Sequence, residues 1–146
     1  MLYFAYGSNM DPEQMRVRAP GAVGLGAGLL SGWRLTFTRD SPGWGGGVGH
    51  IEPSPGDEVW GVLWEVGDDH LASLDEYEGV AVGMYERSSV PVSFDGGDVD
   101  AVVYMANPRG YKPPSKRYVA ALVRGAEAFD LPAPYVAGLR ALGAST

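Results

Sequence analysis

An acidic cluster near the expected end of a helix is the most unusual chemistry in the sequence: Asp75, Glu76 and Glu78 fall within four consecutive residues. The last backbone carbonyls of a helix carry partial negative charge, so cations are the usual side chains there. Three carboxylates at this place are electrostatically unfavourable. The residues alone leave two explanations open. Either one carboxylate turns inward for a chemical purpose, or the helix end frays and the cluster is a solvated surface.

Glu78 is the carboxylate with the clearest chemical potential. On helical geometry Leu71, Leu74 and Glu78 lie at positions i, i+3 and i+7, so Glu78 continues the apolar stripe that faces the core. Desolvation, neighbouring carboxylates and the helix C-terminus all raise the pKa of a carboxyl group placed there. A raised pKa suits a group that first accepts and then donates a proton at neutral pH, which makes Glu78 the candidate for general base and acid.

The second candidate is the turn Tyr6-Gly7-Ser8-Asn9, which connects an apolar strand at Leu2–Ala5 to a helix start. Gly7 can adopt a positive φ or permit close approach of another group. Consecutive amides of Gly7, Ser8 and Asn9 could then form a concave donor site for a carboxylate or carbonyl oxygen. The alternative is a plain connection in which the Ser8 and Asn9 side chains satisfy nearby backbone groups. Both remain open at this point.

Other catalytic chemistries fit the sequence poorly. Ser8 lacks a G-x-S-x-G context, and the chain has two histidines, His50 and His70, so a Ser-His-Asp triad is not expected. Without cysteine or an H-x-x-x-H pair we expect no metal site, and no cofactor fingerprint is present. The Gly45-Gly46-Gly47 run does not resemble a P-loop and predicts a flexible loop, at a pocket rim.

Composition limits the partner and the compartment. The 146 residues fit a single domain, residues 1–146, and the formal charge of −7 disfavours nucleic acid and anionic membrane surfaces as partners. We expect no membrane span, because no run of about 18 apolar residues occurs. The absence of cysteine and of a secretory signal predicts a cytoplasmic protein. A small molecule is the expected partner.

Strand-like segments recur along the chain. Alternating or β-branched runs bounded by turn residues predict strands at residues 2–5, 33–39, 48–52, 58–66, 84–94 and 99–106. Residues 54–57 and 95–97 read as turns, and residues 41–47 read as a mobile or tightly folded loop.

Helices are expected between and after these strands. Asp11 predicts a helix N-terminus with Pro12 at the first position and Gln14 closing a capping box, ending near Arg18. Further helices are predicted from a cap at Asp68 or Asp69 to Gly79, from Ser115 along an apolar stripe to Phe129, and from Pro134 to Leu142. The pattern indicates an α+β fold with a mixed, largely antiparallel sheet that closes into a small barrel with surrounding helices.

The order of four segments carries a family resemblance. YFAYGSNM at the start, SPGDEVWGVLWEV in the middle, LDEYEGVAVGMY after it and PPSKRY before the C-terminal helices resemble the gamma-glutamylcyclotransferase family along nearly the whole chain. The resemblance implies a small α/β fold around a closed or nearly closed sheet, with no metal or cofactor. It also implies cyclisation of a γ-glutamyl amide to 5-oxoproline with release of the amine.

The resemblance also assigns site residues. The family's catalytic glutamate falls on Glu78, and a pocket tyrosine falls on Tyr118. The segment that holds the γ-glutamyl group matches Tyr3, Phe4, Ala5, Tyr6, Gly7 and Ser8. The leaving-amine side is expected near Trp44 and residues 85–87.

Several alternatives stay open. Relatives act on γ-glutamyl dipeptides, on γ-glutamyl-ε-lysine or on γ-glutamyl antibiotic intermediates, and nothing in the sequence selects among them. Some relatives dimerise, so a homodimer is compatible with the resemblance. A non-catalytic ligand-binding domain of the same fold and a serine-type amide hydrolase using Ser8 are the competing functions.

Overall fold

The computed structural model describes residues 1–144, which form five strands and four α-helices. In chain order these are β1 Leu2–Ala5, α1 Pro12–Arg18, β2 Val23–Ser41, β3 Gly46–Glu65, α2 Asp68–Glu78, β4 Tyr85–Phe94, β5 Gly97–Ala106, α3 Lys116–Ala128 and α4 Ala133–Ala144. Short 3₁₀ turns at Ser8–Met10 and Val80–Val82 follow β1 and α2.

The strands close into a barrel in the order β1, β3, β2, β4, β5. Neighbours are antiparallel except at the closure, where β1 runs parallel to β5 and Tyr3 lies opposite Val102. Closing a sheet removes its unpaired edges. The expected α+β fold, with a mixed, largely antiparallel sheet closed into a barrel, is confirmed.

The long β2–β3 hairpin differs most from the sequence prediction. It absorbs the short strands predicted at residues 33–39, 48–52 and 58–66. The turn predicted at residues 54–57 lies inside β3 instead of before a separate strand, because Ser31 pairs with Glu58 and Trp33 pairs with Pro53 on either side of it. Residues 54–57 therefore bulge out opposite the single residue Gly32 while the strand continues.

The first half of β2 was missed because glycines replace the alternating apolar pattern. A Cβ on Gly24 would lie 2.4 Å from the Phe129 ring, and one on Gly28 would lie 2.7 Å from Val92. These glycines leave room for side chains that belong to other elements. The strand therefore carries little of the hydrophobic alternation that identifies strands from sequence.

The glycine-rich link between β2 and β3 was predicted to be either a mobile or a tightly folded loop. The structure shows the tightly folded one. Ser41 pairs with Gly46, and the Ser41 carbonyl accepts hydrogen bonds from the amides of Trp44 and Gly45 at 3.1 and 2.7 Å. A Cβ on Gly47 would lie 2.0 Å from the Lys112 carbonyl oxygen. Gly47 therefore permits close approach of another chain segment, and Gly46 and Gly47 belong to β3 rather than to the flexible loop predicted for residues 45–47.

The caps of the helices confirm several predicted boundaries. The Asp11 carboxylate accepts from the Glu13 amide at 3.1 Å at the start of α1, and Ser115 accepts from the Tyr118 amide at 3.1 Å at the start of α3. Gly79 ends α2 in the left-handed conformation, with φ of 65°. Each cap satisfies backbone groups that the helix itself leaves unpaired.

Two predicted capping roles are wrong. Gln14 does not close a capping box, because its amide donates to the side chains of Ser8 and Asn9. The N-cap of α2 is Gly67, and the Gly67 amide donates to His70 Nδ1 at 3.0 Å. Asp68 and Asp69 instead occupy the first turn of α2, where carboxylates interact favourably with the helix dipole.

Helix α3 holds the turn after β1 in place. Its stripe of Tyr118, Ala121, Leu122, Gly125 and Ala126 is buried, as the periodicity predicted. A Cβ on Gly125 would lie 2.4 Å from the carbonyl carbon of Met10, which is fully buried. The helix therefore approaches the Ser8–Met10 turn closely enough to exclude any larger residue.

We predict that Gly125→Ala destabilises the protein by about 1–3 kcal/mol, because the added methyl group overlaps the backbone of Met10. Gly138→Ala in α4 is the matched control, since a Cβ there meets nothing within 4 Å. That change should stabilise by about 0.5–1 kcal/mol through helix propensity. Urea midpoints measure both. Equal effects of the two substitutions would contradict the close packing of α3 on the turn.

Candidate active site

A cavity of about 170 Å³ opens where β1 runs into the Ser8–Met10 turn. Its wall combines the end of α2, the turn between β2 and β3, the start of β4 and one face of α3. Its principal polar and aromatic members are Tyr3, Tyr6, Ser8, Asn9, Arg18, Arg39, Asp40, Trp44, Tyr77, Glu78, Tyr85, Tyr104 and Tyr118.

Glu78 is the last residue of α2, and its side chain faces this cavity. Its Oε1 atom accepts a hydrogen bond from Asn9 Nδ2 at 3.2 Å. Burial raises the pKa of Glu78 to about 7, although the nearby Arg18 charge and the Asn9 hydrogen bond act to lower it. The inward orientation is therefore the one the structure adopts, and the carboxyl group titrates near neutral pH.

Asn9 joins the turn to the glutamate. Its Nδ2 donates to the Tyr3 hydroxyl at 2.9 Å as well as to Glu78, and its Oδ1 accepts from Gln14 Nε2 at 2.9 Å and Arg18 Nη1 at 3.1 Å. The two donors on Oδ1 fix the orientation of the amide, which leaves its NH₂ aimed at Glu78 and Tyr3. The sequence predicted that Asn9 acts through its backbone amide or that its side chain satisfies nearby backbone groups, whereas the side chain bonds to Glu78 and Tyr3.

The acidic cluster divides into three different environments. Asp75 accepts hydrogen bonds from the Arg87 guanidinium, and one of its oxygens accepts from the Tyr104 hydroxyl at 2.6 Å. The Arg87 hydrogen bond lowers the pKa of Asp75, so that carboxylate stays ionised. Glu76 is exposed. Separating the carboxylates in this way relieves the crowding at the helix end and leaves Glu78 as the one at the cavity.

Tyr118 explains the glycine in the turn. The Gly49 amide donates to the Tyr118 hydroxyl at 2.9 Å, and a Cβ on Gly7 would lie 2.8 Å from the same oxygen. Burial raises the pKa of Tyr118 to about 12, while the amides of Gly49 and Ser8 act to lower it. The hydroxyl therefore stays protonated at neutral pH and lies directly against the turn.

Two further tyrosines of the wall are held by backbone carbonyls. The Tyr6 hydroxyl donates to the Tyr104 carbonyl at 2.6 Å, and the Tyr85 hydroxyl donates to the Gly49 carbonyl at 2.7 Å. Burial raises the pKa of both hydroxyls, so they are neutral donors. The cavity is therefore shaped by side chains that are already fixed before any ligand enters.

No hydrogen bond joins the Ser8 hydroxyl to a histidine or carboxylate among residues 1–144. Its hydroxyl accepts from Gln14 Nε2 at 2.5 Å, and both histidines belong to other parts of the fold. His50 is buried in β3 opposite Thr36, and the His70 ring contacts the Pro20 carbonyl at 2.7 Å. The arrangement gives no support to a serine hydrolase.

Most residues assigned by resemblance meet at the cavity. Glu78, Tyr3, Tyr6, Gly7, Ser8 and Tyr118 border it. Phe4 and Ala5 do not, because their side chains are 0% and 1% exposed within the core. Phe4 and Ala5 therefore pack in the core of the barrel.

Only part of the region expected to bind the leaving amine borders the cavity. Trp44 and Tyr85 border it, but Arg87 does not, since it pairs with Asp75. Arg18 and Arg39 were not anticipated there.

The described part of the chain contains no group of three or more side chains arranged to hold a metal ion. None of the helices within residues 1–144 is long and apolar enough to cross a membrane.

Comparison with known proteins gives consistent similarities. A model of the AIG2-like family matches residues 58–139. The chain is 40% identical to the gamma-glutamylcyclotransferase of Bos taurus, over 92% of this chain and 74% of that protein. It is 38% identical to the gamma-glutamylcyclotransferase of Homo sapiens, over 97% and 78% respectively.

A solved structure described as a gamma-glutamyl cyclotransferase superposes with a TM-score of 0.92 at 38% identity, covering 97% of this chain and 86% of the other. The similarity therefore extends over both the barrel and the helices that carry the cavity. With sequence and fold in agreement over most of each partner's length, the chain belongs to the gamma-glutamylcyclotransferase family.

Proposed function

We propose that the cavity cyclises a γ-glutamyl amide to 5-oxoproline and releases the free amine, with Glu78 carrying the protons. The observation that supports this most directly is the position of Glu78: a carboxyl group with a pKa of about 7 borders a cavity that is also bordered by the turn after β1. A group that titrates near neutral pH can accept a proton in one step and return it in the next.

The reaction needs a folded substrate more than a strong nucleophile. The α-amine of the γ-glutamyl group attacks its own γ-carbonyl carbon to form a five-membered ring, a geometry that intramolecularity strongly favours when the chain is held curled. Glu78 takes a proton from the α-ammonium group, which frees the lone pair of the amine. When the tetrahedral intermediate collapses, the same carboxyl group donates that proton to the departing nitrogen, and the ring nitrogen passes its remaining extra proton, through the regenerated carboxylate, to the released amine.

The turn supplies the complementary charge. In this proposal backbone amides of residues 6–8, in the turn that borders the cavity, donate to a negatively charged oxygen of the bound substrate, either the oxyanion or the α-carboxylate. Donors already oriented toward such an oxygen contribute several kcal/mol to transition-state stabilisation. The Ser8 amide also approaches the Tyr118 hydroxyl, so the tyrosine and the turn act on the same region of the cavity.

Asn9 and Arg18 position Glu78 in this scheme. Asn9 is 3% exposed and its amide orientation is fixed by Gln14 and Arg18, so it holds one carboxylate oxygen of Glu78 at a defined place. Arg18 favours the ionised form and limits how far burial raises the pKa. We expect the partner to be a small γ-glutamyl compound in the cytoplasm, with no nucleic acid or membrane, and a homodimer remains compatible with the resemblance.

We predict that Glu78→Gln abolishes turnover, because the amide can neither accept nor return a proton. Glu76→Gln is the matched control, since Glu76 is exposed and lies two residues earlier on the same helix. Mass spectrometry of 5-oxoproline formed from a panel of γ-glutamyl dipeptides and γ-glutamyl amines measures both. A fully active Glu78→Gln variant would exclude Glu78 as the proton carrier. Open-chain glutamate as product would point to hydrolysis, and no turnover by the wild type would favour a non-catalytic binding domain.

The pH dependence of kcat/KM tests the state of the glutamate. Glu78 must be ionised to accept a proton, so kcat/KM should fall as the pH drops through about 7. Arg18→Gln removes a charge that lowers the Glu78 pKa, so the acid limb should move to higher pH. Arg16→Gln, an exposed change on the same helix, is the control and should leave the limb in place. An acid limb unmoved by Arg18→Gln would contradict the electrostatic coupling.

Ionisation of Glu78 should raise kcat/KM but lower the free energy of unfolding. Its folded pKa of about 7 lies above the ordinary value of 4.5, so the folded state binds the proton more tightly and loses stability as the pH rises between these values. Glu78→Gln should therefore stabilise the protein above pH 7, by roughly 2–3 kcal/mol, and much less at pH 4.5. Urea unfolding at the two pH values measures the difference. A pH-independent effect would show that the carboxylate is not desolvated.

A further inference from the structure

Arg39 occupies an unusual backbone position at the cavity. Its φ of 62° lies in the left-handed region, which arginine rarely adopts, and the β2–β3 register shifts between Thr38 and Asp40. Arg39 is thus the extra residue of a β-bulge. Bulges re-aim a side chain relative to the strand, and they occur frequently beside active sites. Here the bulged residue borders the same cavity as Glu78.

The bulge is held by the segment that follows β5. Thr38 Oγ1 accepts from the Arg109 amide at 2.6 Å, and the Phe37 carbonyl accepts from the Lys112 amide at 3.3 Å. Arg39 Nη2 donates to the Asn107 carbonyl at 3.2 Å. These contacts fix both the backbone and one end of the guanidinium, so the strained conformation is maintained by its surroundings.

The guanidinium nevertheless lacks a counter-ion. Arg39 Nε is buried and has no hydrogen-bond partner, and no carboxylate of residues 1–144 lies within 4.0 Å of Arg39 as an ion pair. An unsatisfied buried donor on a charged group costs stability and calls for an explanation, and a ligand bound at the guanidinium is one. The planar fork of arginine matches a carboxylate in two parallel hydrogen bonds.

The other cavity arginine is already engaged. Arg18 donates to Asn9 and lies 4.8 Å from the Tyr77 ring centre, at the Glu78 side of the cavity. Arg39 instead lies on the side formed by the end of β2, and its charge acts on Tyr85. The two cations therefore serve different parts of the cavity. Asp40 also borders the cavity and is exposed, so its carboxylate opposes an anionic ligand at the mouth.

We propose that Arg39 binds the carboxylate of the leaving amino acid and thereby makes the enzyme prefer γ-glutamyl amino acids to γ-glutamyl amines that lack this carboxylate. The inference rests on the proposed function, because it assigns the leaving-group side of the same site. Arg39 is a specificity residue in this scheme. It contacts the part of the substrate that departs and takes no part in proton transfer.

The test uses two ligands that differ by a single carboxylate, γ-glutamyl-alanine and γ-glutamyl-ethylamide. Their affinities are measured by calorimetry in the Glu78→Gln background, which removes turnover, with and without Arg39→Gln. Loss of a charge-assisted bidentate contact should lower the affinity for γ-glutamyl-alanine about 10- to 100-fold. The affinity for γ-glutamyl-ethylamide should fall much less. Arg39→Lys should restore part of the preference, because lysine keeps the charge but lacks the planar guanidinium.

Two controls separate a binding role from a structural one. Arg140→Gln removes an equal charge from an exposed ion pair with Glu127, away from the cavity, and should not change the ratio of the two affinities. Arg39→Gly relieves the left-handed strain, so its melting temperature should equal or exceed that of its parent while the carboxylate preference is lost. A merely structural arginine would lower the melting temperature and leave the preference intact.

The outcomes are distinct. Equal losses for both ligands, no loss for either, or a preference for cationic leaving groups would overturn the role of Arg39, while 5-oxoproline formation by the wild type would still support the proposed function. If neither ligand binds, the inference fails, and the absence of wild-type turnover would then show that the proposed function fails with it.

Discussion

The partly buried carboxyl group of Glu78 is the constraint on which the site depends. A carboxylate in a low-dielectric cavity at a helix C-terminus is unfavourable, and burial accordingly raises its pKa to about 7. The surrounding groups moderate this cost without removing it: Asn9 donates one hydrogen bond, and Arg18 contributes charge through space. Full neutralisation by a direct ion pair would restore an ordinary acidic pKa and leave the group unable to return a proton near pH 7. The partial compensation is therefore what suits the group to proton transfer.

The position of that carboxylate relative to the turn is set by close packing. Gly7 admits the Tyr118 hydroxyl, and Gly125 admits the backbone of Met10, so α3 contacts the turn at two points. Interiors at this packing density transmit small displacements, because side chains have little room to adjust. The turn and the tyrosine thus share one rigid support, and the Asn9 hydrogen bond links Glu78 to it. The sequence positions are far apart, at residues 7, 78 and 118, and only barrel closure brings them together.

Helix faces and caps could be predicted from the sequence, because only one structural role suits the residue type found at each of these positions. The inward face of α2, the left-handed Gly79 and the caps at Asp11 and Ser115 follow from periodicity and capping rules. Features determined by distant contacts were not. The glycines of β2 hide a strand because the side chains that fill their space come from elsewhere. Residues 54–57 interrupt β3 without ending it, because pairing with β2 resumes on both sides. Asn9 and Arg18 reach Glu78 only through the folded chain.

The two ends of the cavity differ in the same way: local rules determine one end, and contacts between distant segments determine the other. The proton-transfer end is built from regular elements and their caps, where each side chain has several partners. The opposite end depends on a β-bulge, a tight hairpin and the segment after β5, where a change of one residue can re-aim a side chain without disturbing the barrel. A fold arranged in this way can keep one reaction while the leaving group varies. Arg39, strained and incompletely paired, lies at this second end of the cavity.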